Sequence, residues 1–192
     1  MVMGKASAKA GMFCQLLAIA ALLLPGCSSG PTVVKSPAFN PVPEDNIVYV
    51  VPFTQSLVPE DFSDEVFNEF VDDLNNSRSR TDVQWYYILK EELKDIDQEW
   101  LTRQVYITGE LWGYVENSGC CSTELRTKAR LRLFEMEQRD STLEMLFPVE
   151  AFFEHDRSTL PEERHRMAKK LAKQMADAIT DIFAQRKSIQ YR

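Results

Sequence analysis

Three alternating runs between residues 105 and 154 constrain this chain more than any other feature. In the first, Val105, Ile107, Leu111 and Val115 fall on one side of an extended strand. Tyr106, Thr108, Glu110, Trp112, Tyr114 and Glu116 fall on the other. The second, Glu124 to Glu135, sets Leu125, Ala129, Leu131 and Leu133 against Arg126, Lys128, Arg130 and Arg132. The third, Leu143 to Phe153, sets Leu143, Met145, Phe147, Val149, Ala151 and Phe153 against Glu144, Glu150 and Glu154. Residues two apart share a strand face, so each run buries one row and solvates the other. With a turn at Ser118-Gly119, the pattern predicts an antiparallel meander whose inner face needs a cover. The basic row lies between acidic rows, as in a cross-strand charge ladder on a solvated face; the alternative is a subunit or ligand contact. Gly109 and Gly113 fall on the apolar side, where glycine lets a helix approach the backbone closely, and Pro148 points to an edge or a bulge.

The cover is legible on both sides of the meander. Downstream, Thr159 and Glu162 form a capping box with Pro161 in the first turn. A stripe of Met167, Leu171, Met175, Ala178, Ile179, Ile182 and Phe183 then runs through a long helix. Upstream, Ile47-Val48-Tyr49-Val50-Val51 reads as a strand buried on both faces and ended by Pro52-Phe53. Ser63 is the expected N-cap of a helix, stapled by Phe62 and Phe67 and apolar along Val66, Phe67, Phe70, Val71 and Leu74. Val83 to Leu89 is a second strand, and Leu93, Ile96 and Trp100 suggest a short helix within Lys90–Trp100. The order β-α-β-(α)-β-β-β-α is an α/β two-layer sandwich: a mixed sheet of about five strands packed by two main helices. It occupies residues 46–186 as one domain, with a tail at 187–192.

The first 45 residues are of another kind. Lys5 and Lys9 precede an apolar run, Gly11 to Leu24, too short to span a bilayer as a helix; together they read as a secretory leader over residues 1–26. Residues 27–45, punctuated by Ser28, Ser29, Gly30, Pro31, Pro37, Pro41 and Pro43, read as a semi-extended tether. The chain has 22 basic and 29 acidic residues; without Lys5 and Lys9 the balance is 20 against 29, a net charge of about −9. So acidic a body excludes nucleic acid as a partner, because phosphates need cationic contacts.

Chemistry is sparse. The sequence holds no phosphate-cradling glycine loop, nucleophile elbow or paired histidines at metal spacing. Glu110 and Glu116 could form a carboxylate pair, but they fall on a solvated face among charges, so neither an enzyme nor a cofactor is expected. With only His155 and His165 elsewhere, Cys120-Cys121 does not make a tetrahedral metal site. Three outcomes stay open for that pair: a vicinal disulfide, a bridge to another subunit, or partly buried free thiols. Trp112 and Tyr114, flanked by Glu110 and Glu116 on the outward row, mark a candidate partner surface. The alternative is that these rings cover the stems of Arg126 to Arg132.

Two resemblances add to this. Leu23-Leu24-Pro25-Gly26-Cys27 resembles the lipobox of bacterial lipoproteins. That implies cleavage before Cys27, diacylation of its thiol and acylation of its new amine; the rival is a plain secretory signal with an incidental cysteine. Ser28 after it, rather than Asp, implies by the same resemblance an outer-membrane lipoprotein facing the periplasm. The domain itself resembles lipoproteins built on the CsgG and TolB N-terminal type of domain, a group that includes CsgG, LpoB and PelC. The resemblance rests on Ile47 to Phe53, the helix through Leu74, Tyr87-Ile88-Leu89-Lys90-Glu91-Glu92-Leu93, Val105-Tyr106-Ile107-Thr108-Gly109-Glu110-Leu111 and the final helix. It implies a non-enzymatic, homo-oligomeric accessory of export machinery, with a PelC-like role in exopolysaccharide export suiting the acidic body. Other readings are an LptE-like partner of an outer-membrane barrel and a periplasmic ligand-binding module.

Overall fold

The structure, a computed structural model, describes residues 30–37, 39 and 46–190. The leader at 1–26, the lipobox cysteine Cys27 and most of the tether lie outside the described residues. Among the described residues seven strands form one mixed sheet: β1 (Thr32–Lys35), β2 (Ile47–Val50), β3 (Thr54–Ser56), β4 (Trp85–Ile88), β5 (Tyr106–Ser118), β6 (Ser122–Phe134) and β7 (Leu143–Glu154). The helices are α1 (Glu60–Asn76), α2 (Gln98–Leu101) and α3 (Leu160–Gln190), with a 3-10 turn at Arg78–Arg80. Across the sheet the order is β1-β7-β6-β5-β2-β4, and β3 lies beside β5. The meander β5-β6-β7 is antiparallel, whereas β2 runs parallel to both β4 and β5.

The two-layer sandwich is therefore present, with seven strands rather than about five. One extra strand comes from the segment read as a tether. Thr32–Lys35 pairs antiparallel with Leu143–Leu146, and Ser36 N donates to Thr142 O at 2.8 Å. Its side chains are all exposed, so the segment docks through backbone hydrogen bonds, which leave no apolar period to read. β1 covers only the first part of β7. Pro148 sits beyond it, on an edge where its missing N–H costs no ladder bond.

Helices α1 and α3 pack together on one face of the sheet. The core between the layers joins Val48, Val50, Phe70, Leu74, Ile107, Leu111, Leu131 and Leu133 to Leu171, Met175 and Ile179. Each such side chain, fully buried, contributes roughly 1.5–3 kcal/mol. A smaller cluster covers the opposite face near β2, where Val51, Leu89, Leu101 and Tyr106 meet Tyr49, Trp100 and Phe134. Strand β2 is thus buried on the helix face through Val48 and Val50 and only half-buried on the other through Ile47 and Tyr49, short of the burial on both faces that its apolar run implies.

Helix boundaries depart from expectation in three places, the simplest being that α3 runs on to Gln190 through residues read as a tail from 187. Helix α1 begins at Glu60, with Pro59 rather than Ser63 at its N-cap. Glu60 and Asp61 then supply the acidic first turn, and Ser63 is buried one turn in, its N–H bonded to Pro59 O at 3.0 Å. Phe62 is consequently core and not a staple. The helix expected within Lys90–Trp100 contracts to Gln98–Leu101, because Asp97 Oδ1 accepts from Glu99 N and Trp100 N and fixes the start there. At α3 one half of the capping box stands: Glu162 accepts from Thr159 N at 3.0 Å. The Thr159 hydroxyl donates to the same carboxylate at 2.9 Å instead of capping a backbone N–H. These bonds, with one from Ser158, hold the Glu162 carboxyl below the usual range.

The largest departure lies inside β5. Trp112 pairs with Lys128, but the next pair is Val115 with Arg126, so Gly113 and Tyr114 together oppose Thr127 alone. This is a β-bulge, with Gly113 at a φ of +66° that glycine alone adopts without strain. One extra residue inverts every side chain after it. Gly109, by contrast, is a close-approach glycine: a Cβ there would stand 2.3 Å from the Phe53 ring. The neighbour is that aromatic wedge, itself packed on Phe67 and Phe70 of α1, and not a helix backbone.

Candidate functional site: the open face of the meander

The outward rows of β5, β6 and β7 carry the charges the alternation assigned to them, Glu116 of β5 excepted. Arg132 Nε lies 3.0 Å from Glu144, and Arg130 lies 3.8 Å from both Glu110 and Glu144. Arg126 pairs with Glu124 and stands 3.9 Å from Glu150. These are the rungs of the expected ladder. As half-exposed pairs they contribute little individually, so a partner can exchange them cheaply. Lys128 differs. Its cross-strand neighbours are Trp112 and Pro148, and no ion pair engages its ammonium among the described residues.

Beside Lys128 the bulge opens a groove of about 440 Å³, walled by Trp112, Val115, Arg126, Pro148 and Glu150. Trp112, Val115 and Pro148 give it apolar lining, and Arg126, Lys128 and Glu150 give it charge. The Arg130 guanidinium lies 5.1 Å from the centre of the Trp112 ring, a cation–π contact of the charged head with the ring face. Trp112 thus holds a cation against its ring and lines the groove.

The four residues expected to form one partner surface do not stay together. Trp112 and Glu110 are on the open face; Tyr114 and Glu116, which follow the bulge, are on the helix face. Tyr114 packs on Phe62 at 5.4 Å and accepts a hydrogen bond from Arg164 Nε at 2.9 Å. Arg164 also reaches Glu116 at 2.6 Å, tying β5 to the first turn of α3. Burial raises the Tyr114 hydroxyl above the ordinary phenol range, an effect the Arg164 contact partly offsets. Val115 takes the vacated outward position and is 50% exposed. Sequence reasoning missed Val115, and the glycine before Tyr114 was the one available signal.

Cys120 and Cys121 occupy the turn between β5 and β6, closed by Gly119 N donating to Ser122 O at 2.8 Å. Both are free and exposed rather than partly buried, with their sulfurs 3.1 Å apart. Among the described residues no three His, Cys, Asp or Glu side chains gather as a metal site. His155 shares a 2.8 Å hydrogen bond with Thr123, and His165 pairs with Glu65; both histidines are exposed.

No family model matches the chain, and no curated protein matches it in sequence. Solved structures do. The PelC dodecamer from Paraburkholderia phytofirmans superposes on 76% of this chain and 96% of that one, with a TM-score of 0.51 and 12% identity. This chain shares its fold with PelC. Also similar are the hypothetical protein CT253 from Chlamydia trachomatis (TM-score 0.48, 12% identity, 72% of this chain and 97% of that one) and lipoprotein GNA1162 from Neisseria meningitidis (0.43, 10%, 68% and 98%). At such identities the likeness to PelC is one of architecture. It leaves the open face to be read from this chain's own residues.

Proposed function

We propose that the chain is a lipid-anchored, non-catalytic accessory of the bacterial cell envelope that assembles with copies of itself through the open face of the meander. The observation that carries this is the fold shared with PelC over nearly all of that chain, since PelC was solved as a dodecamer. The groove beside Trp112, Val115 and Lys128 supplies a surface suited to such contacts: apolar side chains among charged ones, with the Lys128 ammonium outside any ion pair among the described residues. The anchor rests on Leu23 to Cys27, and Ser28 favours the outer membrane with the domain facing the periplasm. Several acyl chains on one cysteine hold a protein far more firmly than one. The accompanying machinery is an export apparatus, with exopolysaccharide as the cargo that an acidic body of about −9 suits.

Intact mass of the protein extracted from membranes tests the anchor. It should equal residues 27–192 plus acyl groups, and Cys27→Ala should leave the chain uncleaved or released from the membrane. A mature form of unmodified mass contradicts the anchor and leaves the assembly reading to be judged by the oligomer's own mass.

A further inference from the structure

The hairpin tip between β5 and β6 carries a feature that the assembly reading does not use. Cys120 and Cys121 are the two central residues of its turn, both exposed, with sulfurs 3.1 Å apart. The turn is pinned from outside. His155 N, just after β7, donates to Cys121 O at 2.9 Å, and the His155 ring bonds Thr123, which in turn bonds Ser118 at 2.9 Å. This network holds the peptide carrying the thiols while leaving the sulfurs open to solvent.

We propose that Cys120 and Cys121 form a reversible dithiol–disulfide couple, closed by exchange with a disulfide-bearing donor, either a small disulfide or an oxidoreductase. One thiolate attacks a donor sulfur, forming a mixed disulfide and releasing the first donor thiolate. The second cysteine thiolate then attacks the mixed disulfide at its neighbour's sulfur, expelling the second. Two cysteine thiols are oxidised, one donor disulfide is reduced, and the two protons lost by the cysteines end on the two donor thiols. The second step is intramolecular and starts from touching sulfurs, so it outruns bridging to another chain.

The geometry also makes the closed form labile. Adjacent Cα atoms are about 3.8 Å apart, whereas ordinary disulfides span roughly 4.4–6.8 Å. A vicinal bridge is therefore strained and exposed, the combination that marks exchangeable rather than structural disulfides. Raising the Cys121 proton affinity, the hydrogen bond between the two thiols also favours the reduced form.

The test equilibrates the whole protein with mixtures of reduced and oxidised glutathione, quenches with an alkylating agent and maps the tryptic peptide spanning residues 104–126, which contains both cysteines. The expected result is that this peptide loses two hydrogens as oxidised glutathione rises, independently of protein concentration. It should return to the dithiol at ratios where an ordinary structural disulfide stays closed. Cys120→Ser and Cys121→Ser should each instead hold one glutathione as a persistent mixed disulfide. A peptide cross-linked to a second chain, thiols that stay fully alkylatable at the oxidising end, or a bridge that resists reduced glutathione would each overturn the proposal.

Discussion

Strand β5 contains two lengths of sheet that look alike in sequence and are built differently. From Tyr106 to Trp112 it is an interior strand, flanked by β2 and β3 on one side and β6 on the other, with Ile107 and Leu111 turned toward the helices. From Val115 to Ser118 it is one arm of a hairpin, paired in the sheet with β6, and its faces are exchanged. Between the two lies a single extra residue. The comparison teaches that the bulge shapes the proposed contact surface: it turns Tyr114 and Glu116 in to fasten the sheet to α3, and turns Val115 out to line a groove with Trp112.

The largest effect that could break this comparison is at its apolar positions. Uninterrupted alternation puts Leu111 and Val115 on the same buried row, whereas the structure leaves Leu111 at 0% and Val115 at 50% exposure. Leu111→Ala should cost roughly 2–5 kcal/mol of stability, and Val115→Ala no more than about 0.5 kcal/mol, both read from urea denaturation. Equal costs would mean that the strand has no bulge.

A smaller effect separates the two glycines. Gly109→Ala drives a methyl into the Phe53 ring, which Phe67 and Phe70 hold in place, and should cost about 1–3 kcal/mol. Gly113→Ala meets nothing within 4 Å, so its cost comes from the left-handed backbone alone, about 1–2 kcal/mol. Asparagine discriminates between the causes. It tolerates a positive φ and should recover part of the loss at 113, yet at 109 it should be worse than alanine. Chemical denaturation of the four variants checks this.

Much of the fold was legible because particular residues have one physical use. The charge ladder of Arg126 to Arg132 and the Thr159–Glu162 cap stand where the pattern put them, since charges must reach water or each other and a helix start must satisfy its N–H groups. The candidate surface was only half legible. A glycine in an alternating strand signals either close approach or a bulge, and β5 contains one of each: Gly109 faces Phe53, while Gly113 turns the chain. Strand β1 was hidden for another reason. Thr32 to Lys35 bury no side-chain row, and backbone pairing to β7 leaves no mark on composition.

The most direct test of the central claim is the mass in solution of the processed chain, measured by light scattering across concentration, with and without its acyl groups. It compares wild type, Trp112→Ala, Val115→Asp and Tyr114→Phe. The wild type should assemble. Trp112→Ala and Val115→Asp, on the open face, should lower the mass while leaving cooperative melting in place. Tyr114→Phe, which removes the hydrogen bond from Arg164 on the helix face, should lose about 1 kcal/mol of stability and keep the wild-type mass. A wild type that is monomeric at every concentration, or an assembly that Tyr114→Phe dissolves and the open-face substitutions leave intact, would contradict the account.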